Sequence, residues 1–129
     1  MARGRMSPAV FPSTALTSVR AVEADAYAAA TQNGVGNDLA GKRGIIYCVS
    51  VGTLGTNANV TAHLQDSADN STFANVNTTT YPEATITAIS ASDGAGALMH
   101  YNHGGNRYVR AVLIVNTATS DAGITAVTY

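Results

Sequence analysis

The sequence predicts an all-β domain: an antiparallel β-sandwich, jelly-roll-like, or a small barrel, with an extended N-terminal arm. Three observations carry that expectation. The longest β-type run, Gly105–Val115, alternates at period two, with Val109, Ala111, Leu113 and Val115 on a wholly apolar face and Tyr108, Arg110, Val112 and Ile114 on the other. Shorter alternating runs recur from Arg43 to Tyr129 at intervals of roughly 8–12 residues, as in sandwiches and barrels. The joints between them are turn formers, such as Asp66–Ser71, Ser92–Gly96 and Asn102–Asn106.

The central run belongs in the middle of a sheet. Its first face looks into a core, and its second turns apolar at Val112 and Ile114, so part of that face is expected to be covered too. Upstream, Arg43–Val51 places Ile45, Tyr47, Val49 and Val51 on one face. Asn59–Gln65 points Val60, Ala62 and Leu64 inward and Thr61, His63 and Gln65 outward. Thr72–Val76 returns as a short strand and closes a hairpin. Thr85–Ser90, Ala97–Tyr101 and Ala122–Tyr129 supply the remaining strands.

The N-terminal third reads differently. Residues 1–20 hold Pro8 and Pro12, which disfavour helix before them, and carry Arg3, Arg5 and Arg20 with no acidic residue. Two readings stand: a frayed tail with a chance basic bias, or an arm that orders on a partner, with Val10, Phe11 and Leu16 as apolar anchors and Arg3 and Arg5 pairing with acidic groups. Residues 21–42 are expected to form a short helix or an irregular linker, with an irregular or strand-like segment left open for residues 21–32 because the run is short and its only large apolar residues are Val22 and Tyr27. Alanine dominates residues 21–32, and Glu23 and Asp25 would sit in the first helical turn. Residues 43–129 are expected to be the β-sandwich domain.

Composition narrows the function. The 129 residues make one domain with room for a core. Charged residues are 12%, about half the usual share, so the polar surface must be built from Thr, Asn and Ser. A net charge of −1 gives no general pull toward nucleic acid or an anionic membrane, and no run is apolar enough to span a bilayer. Cys48 is the single cysteine, which precludes an intrachain disulfide; its apolar neighbours predict a buried, inert thiol. The N-terminal apolar run is short and cut by Pro8 and Pro12, which argues against a secretory signal.

No constellation suggests catalysis or a cofactor. His100 and His103 are three apart on a β-like stretch, a spacing that chelates poorly, and His63 stands elsewhere. Asp66 and Asp69 share a loop without the ladder of a calcium hand and are expected to cap the turn. No nucleophile-elbow pattern surrounds any serine, so an enzyme is not expected. Arg107 and Arg110 read as structural, their stems packed beside Tyr108.

Two stretches combine into a resemblance. Leu64–Val76 is a strand, an Asp-Asn-Ser turn and an aromatic return strand; Arg107–Leu113 reads Arg-Tyr-Val-Arg-Ala-Val-Leu. Together they resemble small β-sandwich structural proteins of tailed bacteriophages, most of all head decoration, or cement, proteins. Where such sequences often place Gly after the turn Asp, this chain has Asn70, which also tolerates a left-handed turn. The resemblance covers residues 43–129. It implies a non-enzymatic virion protein, made in the host cytoplasm, that stabilises the outer capsid surface. Its partner would be the major capsid protein, and its state a homo-oligomer, with a trimer favoured. A phage tail or neck component and a small carbohydrate-binding module are the alternatives. The absence of Trp weighs against the last.

Overall fold

The computed structural model describes residues 17–90 and 96–129. Among them every regular element is a strand: β1 (Thr17–Tyr27), β2 (Thr31–Asn33), β3 (Asn37–Asp38), β4 (Gly44–Val51), β5 (Asn59–Ser67), β6 (Ala74–Asn75), β7 (Thr85–Ile89), β8 (Gly96–Asn102), β9 (Tyr108–Asn116) and β10 (Ser120–Thr128). Sheet A runs β1-β10-β4-β8. Sheet B runs β2-β9-β5-β6, with β3 extending the β2 lane along β9 and β7 extending the β6 lane along β5. All pairings are antiparallel. Counting lanes, two four-lane sheets face each other, and the chain crosses between them at nearly every connection. That strand order is a jelly roll.

The core lies between the sheets and follows the predicted alternation. Val109, Ala111, Leu113 and Val115 of β9 are all buried, and so are Val60, Ala62 and Leu64 of β5 beside them. From sheet A come Ile45, Tyr47, Val49 and Val51 of β4, Met99 and Tyr101 of β8, and Ala122, Ile124 and Ala126 of β10. On the outward face of β9, Val112 is buried between Asn33 and His63, and Ile114 is half-buried.

The helix expected within residues 21–32 is absent. Residues 17–27 form β1, the edge strand of sheet A, which pairs with β10 along its length. Bulges between Arg20 and Val22 and between Val22 and Asp25 shift the register, so Ala21 and Val22 are both buried while Glu23 and Asp25 stay exposed. Ladder bonds and burial outweigh the helix propensity of alanine, which is a preference of tenths of a kcal/mol per residue. Gly123 makes the close approach possible: a Cβ there would lie 2.8 Å from the Ala24 Cα.

Polar bonds fasten one sheet to the other. Buried Asn37 of β3 donates its side-chain amide to the Arg20 carbonyl at 2.8 Å and accepts from the Tyr47 hydroxyl at 2.7 Å. Val35 N–H donates to the Ala21 carbonyl at 3.1 Å. Toward the opposite edge, the Tyr101 hydroxyl donates to Asp66 Oδ2 at 3.0 Å, and Tyr81 stacks on the Tyr101 ring. Asp66 therefore joins the sheets from β5 rather than capping the turn. Asp69 alone does the capping, accepting from the N–H groups of Ser71 and Thr72 and from Ser67 Oγ. These bonds, Thr72 first, hold its carboxyl below the ordinary carboxylate value. Asn70 takes the left-handed conformation, with φ of 59°.

Candidate functional site

The outer face of sheet A is assembled by the same alternation that builds the core. On β4 the residues between the buried ones, Ile46, Cys48 and Ser50, point away from it. The register sets Leu98 (β8), Cys48 (β4) and Thr125 (β10) in one row, and His100, Ile46 and Val127 in the next. Leu98 is 65% exposed and Ile46 39%, large aliphatic side chains side by side on the open face. With Glu83, Met99 and His100 they line a shallow cavity of about 240 Å³.

Cys48 corrects the expectation of a buried thiol: it is exposed on this face. Its apolar sequence neighbours Tyr47 and Val49 point to the opposite side of the strand.

A polar rim borders the patch. His100 Nε2 lies 2.5 Å from the Tyr129 hydroxyl, and His100 Nδ1 lies 3.5 Å from Glu83 Oε1. The Tyr129 hydroxyl also donates to Asn102 Oδ1 at 3.3 Å. The patch therefore presents an aliphatic centre with mixed donors and acceptors along one side. Such a face suits docking on protein, since burying a side chain of Leu size contributes roughly 1.5–3 kcal/mol.

The sequence-predicted contact residues Arg3, Arg5, Val10, Phe11 and Leu16 lie outside the described residues. Leu98 and Ile46 were not singled out from sequence. The legible signal was an aliphatic residue on the face that alternation assigns to solvent, Leu98 between Ala97 and Met99 and Ile46 between Ile45 and Tyr47.

Arg107, Arg110 and His103 have structural partners. Arg107 makes a bidentate pair with Asp38, both bonds 2.8 Å, and lies over the Tyr108 ring. Arg110 lies 4.3 Å from the Phe73 ring centroid and donates to Gln65 Oε1. His103 Nδ1 is 3.0 Å from the Lys42 carbonyl. Among the described residues no group of three or more His, Cys, Asp or Glu side chains is placed to hold a metal ion.

No protein-family profile matches the chain, and no curated protein matches it either. Solved structures do. The SPBc2 prophage-derived protein YomS superposes with a TM-score of 0.51 at 14% identity, over 88% of this chain and 91% of that one. A chain of infectious bursal disease virus, Gx strain, superposes with a TM-score of 0.54 at 10% identity, over 88% of this chain. This chain spans only 31% of the viral one. At these identities the likeness is one of fold.

Proposed function

We propose that this chain is a structural protein of a bacteriophage particle, a decoration protein that binds the outer surface of the head and reinforces it. The observation that carries the reading is a jelly roll shared with a prophage-derived protein of nearly the same extent. The phage-like Leu64–Val76 hairpin and Arg107–Leu113 strand support it, and these form β5–β6 and β9 of that fold. In this reading the partner is the major capsid protein, and a homo-oligomer, most naturally a trimer, grips several capsid subunits at once. Linked contacts make the second and third binding events intramolecular, so avidity exceeds the affinity of one site. The work is mechanical and needs no catalytic group.

The exposed aliphatic face of sheet A is the contact assigned to the folded domain, beside the arm residues Arg3, Arg5, Val10, Phe11 and Leu16. The test is co-sedimentation with phage heads that lack decoration. Leu98→Asp places a charge on the open face without touching the core, so it should leave the melting temperature unchanged and weaken attachment at least about tenfold, as for a central apolar contact worth more than 1 kcal/mol. Full-strength attachment of both Leu98→Asp and Ile46→Asp would remove this face from the contact. Failure of the parent protein to sediment with heads would overturn the decoration role.

A further inference from the structure

The lane of sheet B beside β5 changes hands part-way along. β6 pairs with Gln65 and Asp66, whereas β7 pairs with Val60, Ala62 and His63. Leu64 sits at the seam and bonds both ways: its N–H donates to the Ala84 carbonyl at 2.9 Å, and its carbonyl accepts from Val76 N–H at 3.1 Å. Both segments run antiparallel to β5 and meet at that residue. Residues 77–83 loop out between the ends that adjoin it, with Tyr81 N–H donating to the Asn77 carbonyl at 2.8 Å and Ala84 N–H to the Tyr81 carbonyl at 3.1 Å. Beside this excursion lies an open cleft of about 470 Å³, within the range of roughly 300–1,000 Å³ usual for small-molecule sites.

The cleft has a closed base and a neutral polar wall. Leu64, Val76 and Ala84 lie beneath it with their side chains in the core, so they offer a ligand little apolar surface. The wall carries the amides of Asn75 and Asn77, the hydroxyls of Thr78 and Thr85, and the His63 imidazole. Internal bonds hold part of this wall in place. Asn77 Oδ1 accepts from Thr79 N–H at 2.8 Å, Thr85 Oγ1 donates to the Ala62 carbonyl at 3.4 Å, and Asn75 Oδ1 accepts from Gln65 Nε2 at 3.0 Å. Among the described residues the Asn77 amide nitrogen and the Thr78 hydroxyl have no partner, so they are available to a ligand.

Charge selects the ligand class. No carboxylate, ammonium or guanidinium lines the cleft. Burial lowers the His63 pKa below its ordinary value, Arg110 adds to that, and a hydrogen bond with Asn75 works against it, so the ring is neutral near pH 7. Arg110 itself is engaged by Phe73 and Gln65. We propose that this cleft binds a neutral saccharide, whose hydroxyls meet the amide and hydroxyl wall. Arg110 already occupies the neighbouring Phe73 ring, so the sugar is held by hydrogen bonds rather than by aromatic stacking. Binding is accordingly weak, in the millimolar range that a few such contacts give.

The experiment is an amide chemical-shift titration of the full chain with D-glucose, D-galactose, N-acetyl-D-glucosamine and maltose. Each is taken to about 50 mM, well above that range. At least one probe should give saturable shifts confined to residues 63–65, 75–78 and 84–85. Thr78→Val removes one hydroxyl at constant shape. Asn77→Asp keeps the acceptor for Thr79 N–H but replaces the amide donor with a charge. Each should weaken binding by about three- to tenfold while the melting temperature holds. Glucuronate and glucosamine, the charged counterparts, should bind more weakly than the best neutral probe. The proposal is overturned by the absence of saturable shifts with all four sugars, by shifts confined to another surface, by full affinity in both variants, or by a charged sugar binding as tightly. The role on the phage head does not depend on the outcome.

Discussion

Tyr47 and Tyr101 each place a ring in the core and a hydroxyl on a partner in the opposite sheet. Burial pushes both phenols far above their ordinary pKa, and for Tyr101 the Asp66 carboxylate adds to the effect. Tyr47→Phe keeps the ring and leaves Asn37 Oδ1 without its donor in a buried position. The expected loss is about 1–3 kcal/mol, read from urea denaturation; an unchanged midpoint would show that the bridge adds nothing. Asp38 gives a pH-resolved counterpart. Hydrogen bonds from Arg107 first and then Ala40 lower its carboxyl from 3.8 to about 2. The folded value lies below the unfolded one, so this pair's contribution is complete above about pH 4 and is lost as pH falls toward 2. In a carboxyl titration by NMR, Arg107→Gln should move Asp38 back up toward its ordinary value. Cys48, facing solvent among Ile46, Leu98 and Thr125, should react with a thiol reagent in native buffer about as fast as in urea. Slow native labelling would contradict its exposure.

At the scale of elements, the inward faces of β4, β5 and β9 were legible because strict alternation has one solution: shifting by one residue would bury Arg110 and His63 and expose Leu113 and Leu64. Leu113→Ala in that fully buried row should cost roughly 2–5 kcal/mol, measured by chemical denaturation. β1 was not legible, since Ala-Val-Glu-Ala-Asp-Ala offers no large apolar row and its position depends on bulges and on the exposed backbone of β10. Gly123 is the other half of that pairing. Gly123→Ala drives a Cβ against the Ala24 backbone, so it should destabilise by about 1–3 kcal/mol through overpacking. A variant as stable as the parent would mean that β1 can shift outward freely. The aliphatic patch was half legible: placing Ile45, Tyr47, Val49 and Val51 inward leaves Ile46 on the outer face, but only the register between β4 and β8 sets Leu98 beside it. The saccharide cleft was not legible at all, because it arises where two short strands share one lane, a feature of pairing rather than of local sequence.

For the whole molecule, the described residues already supply two complete sheets, the inter-sheet bonds through Asn37 and Asp66, and a buried core. Residues 2–16 are proposed to serve attachment rather than folding. Removing them should shift the melting temperature by less than about 4 °C, the change that roughly 1 kcal/mol produces in a domain near this size. Attachment responds differently if Val10, Phe11 and Leu16 anchor on a capsid subunit while Arg3 and Arg5 meet its acidic groups. The truncated protein should then bind undecorated heads more weakly, and the residual binding should fall further when Leu98→Asp is added. Two contacts on one subunit act as linked sites, so losing either lowers the effective concentration of the other at the surface. Combining the truncation with Leu98→Asp should therefore abolish co-sedimentation, whereas each change alone leaves some. Binding by the truncated chain equal to that of the full-length protein would assign attachment to the β-domain alone, and a lowered melting temperature would place residues 2–16 in the fold.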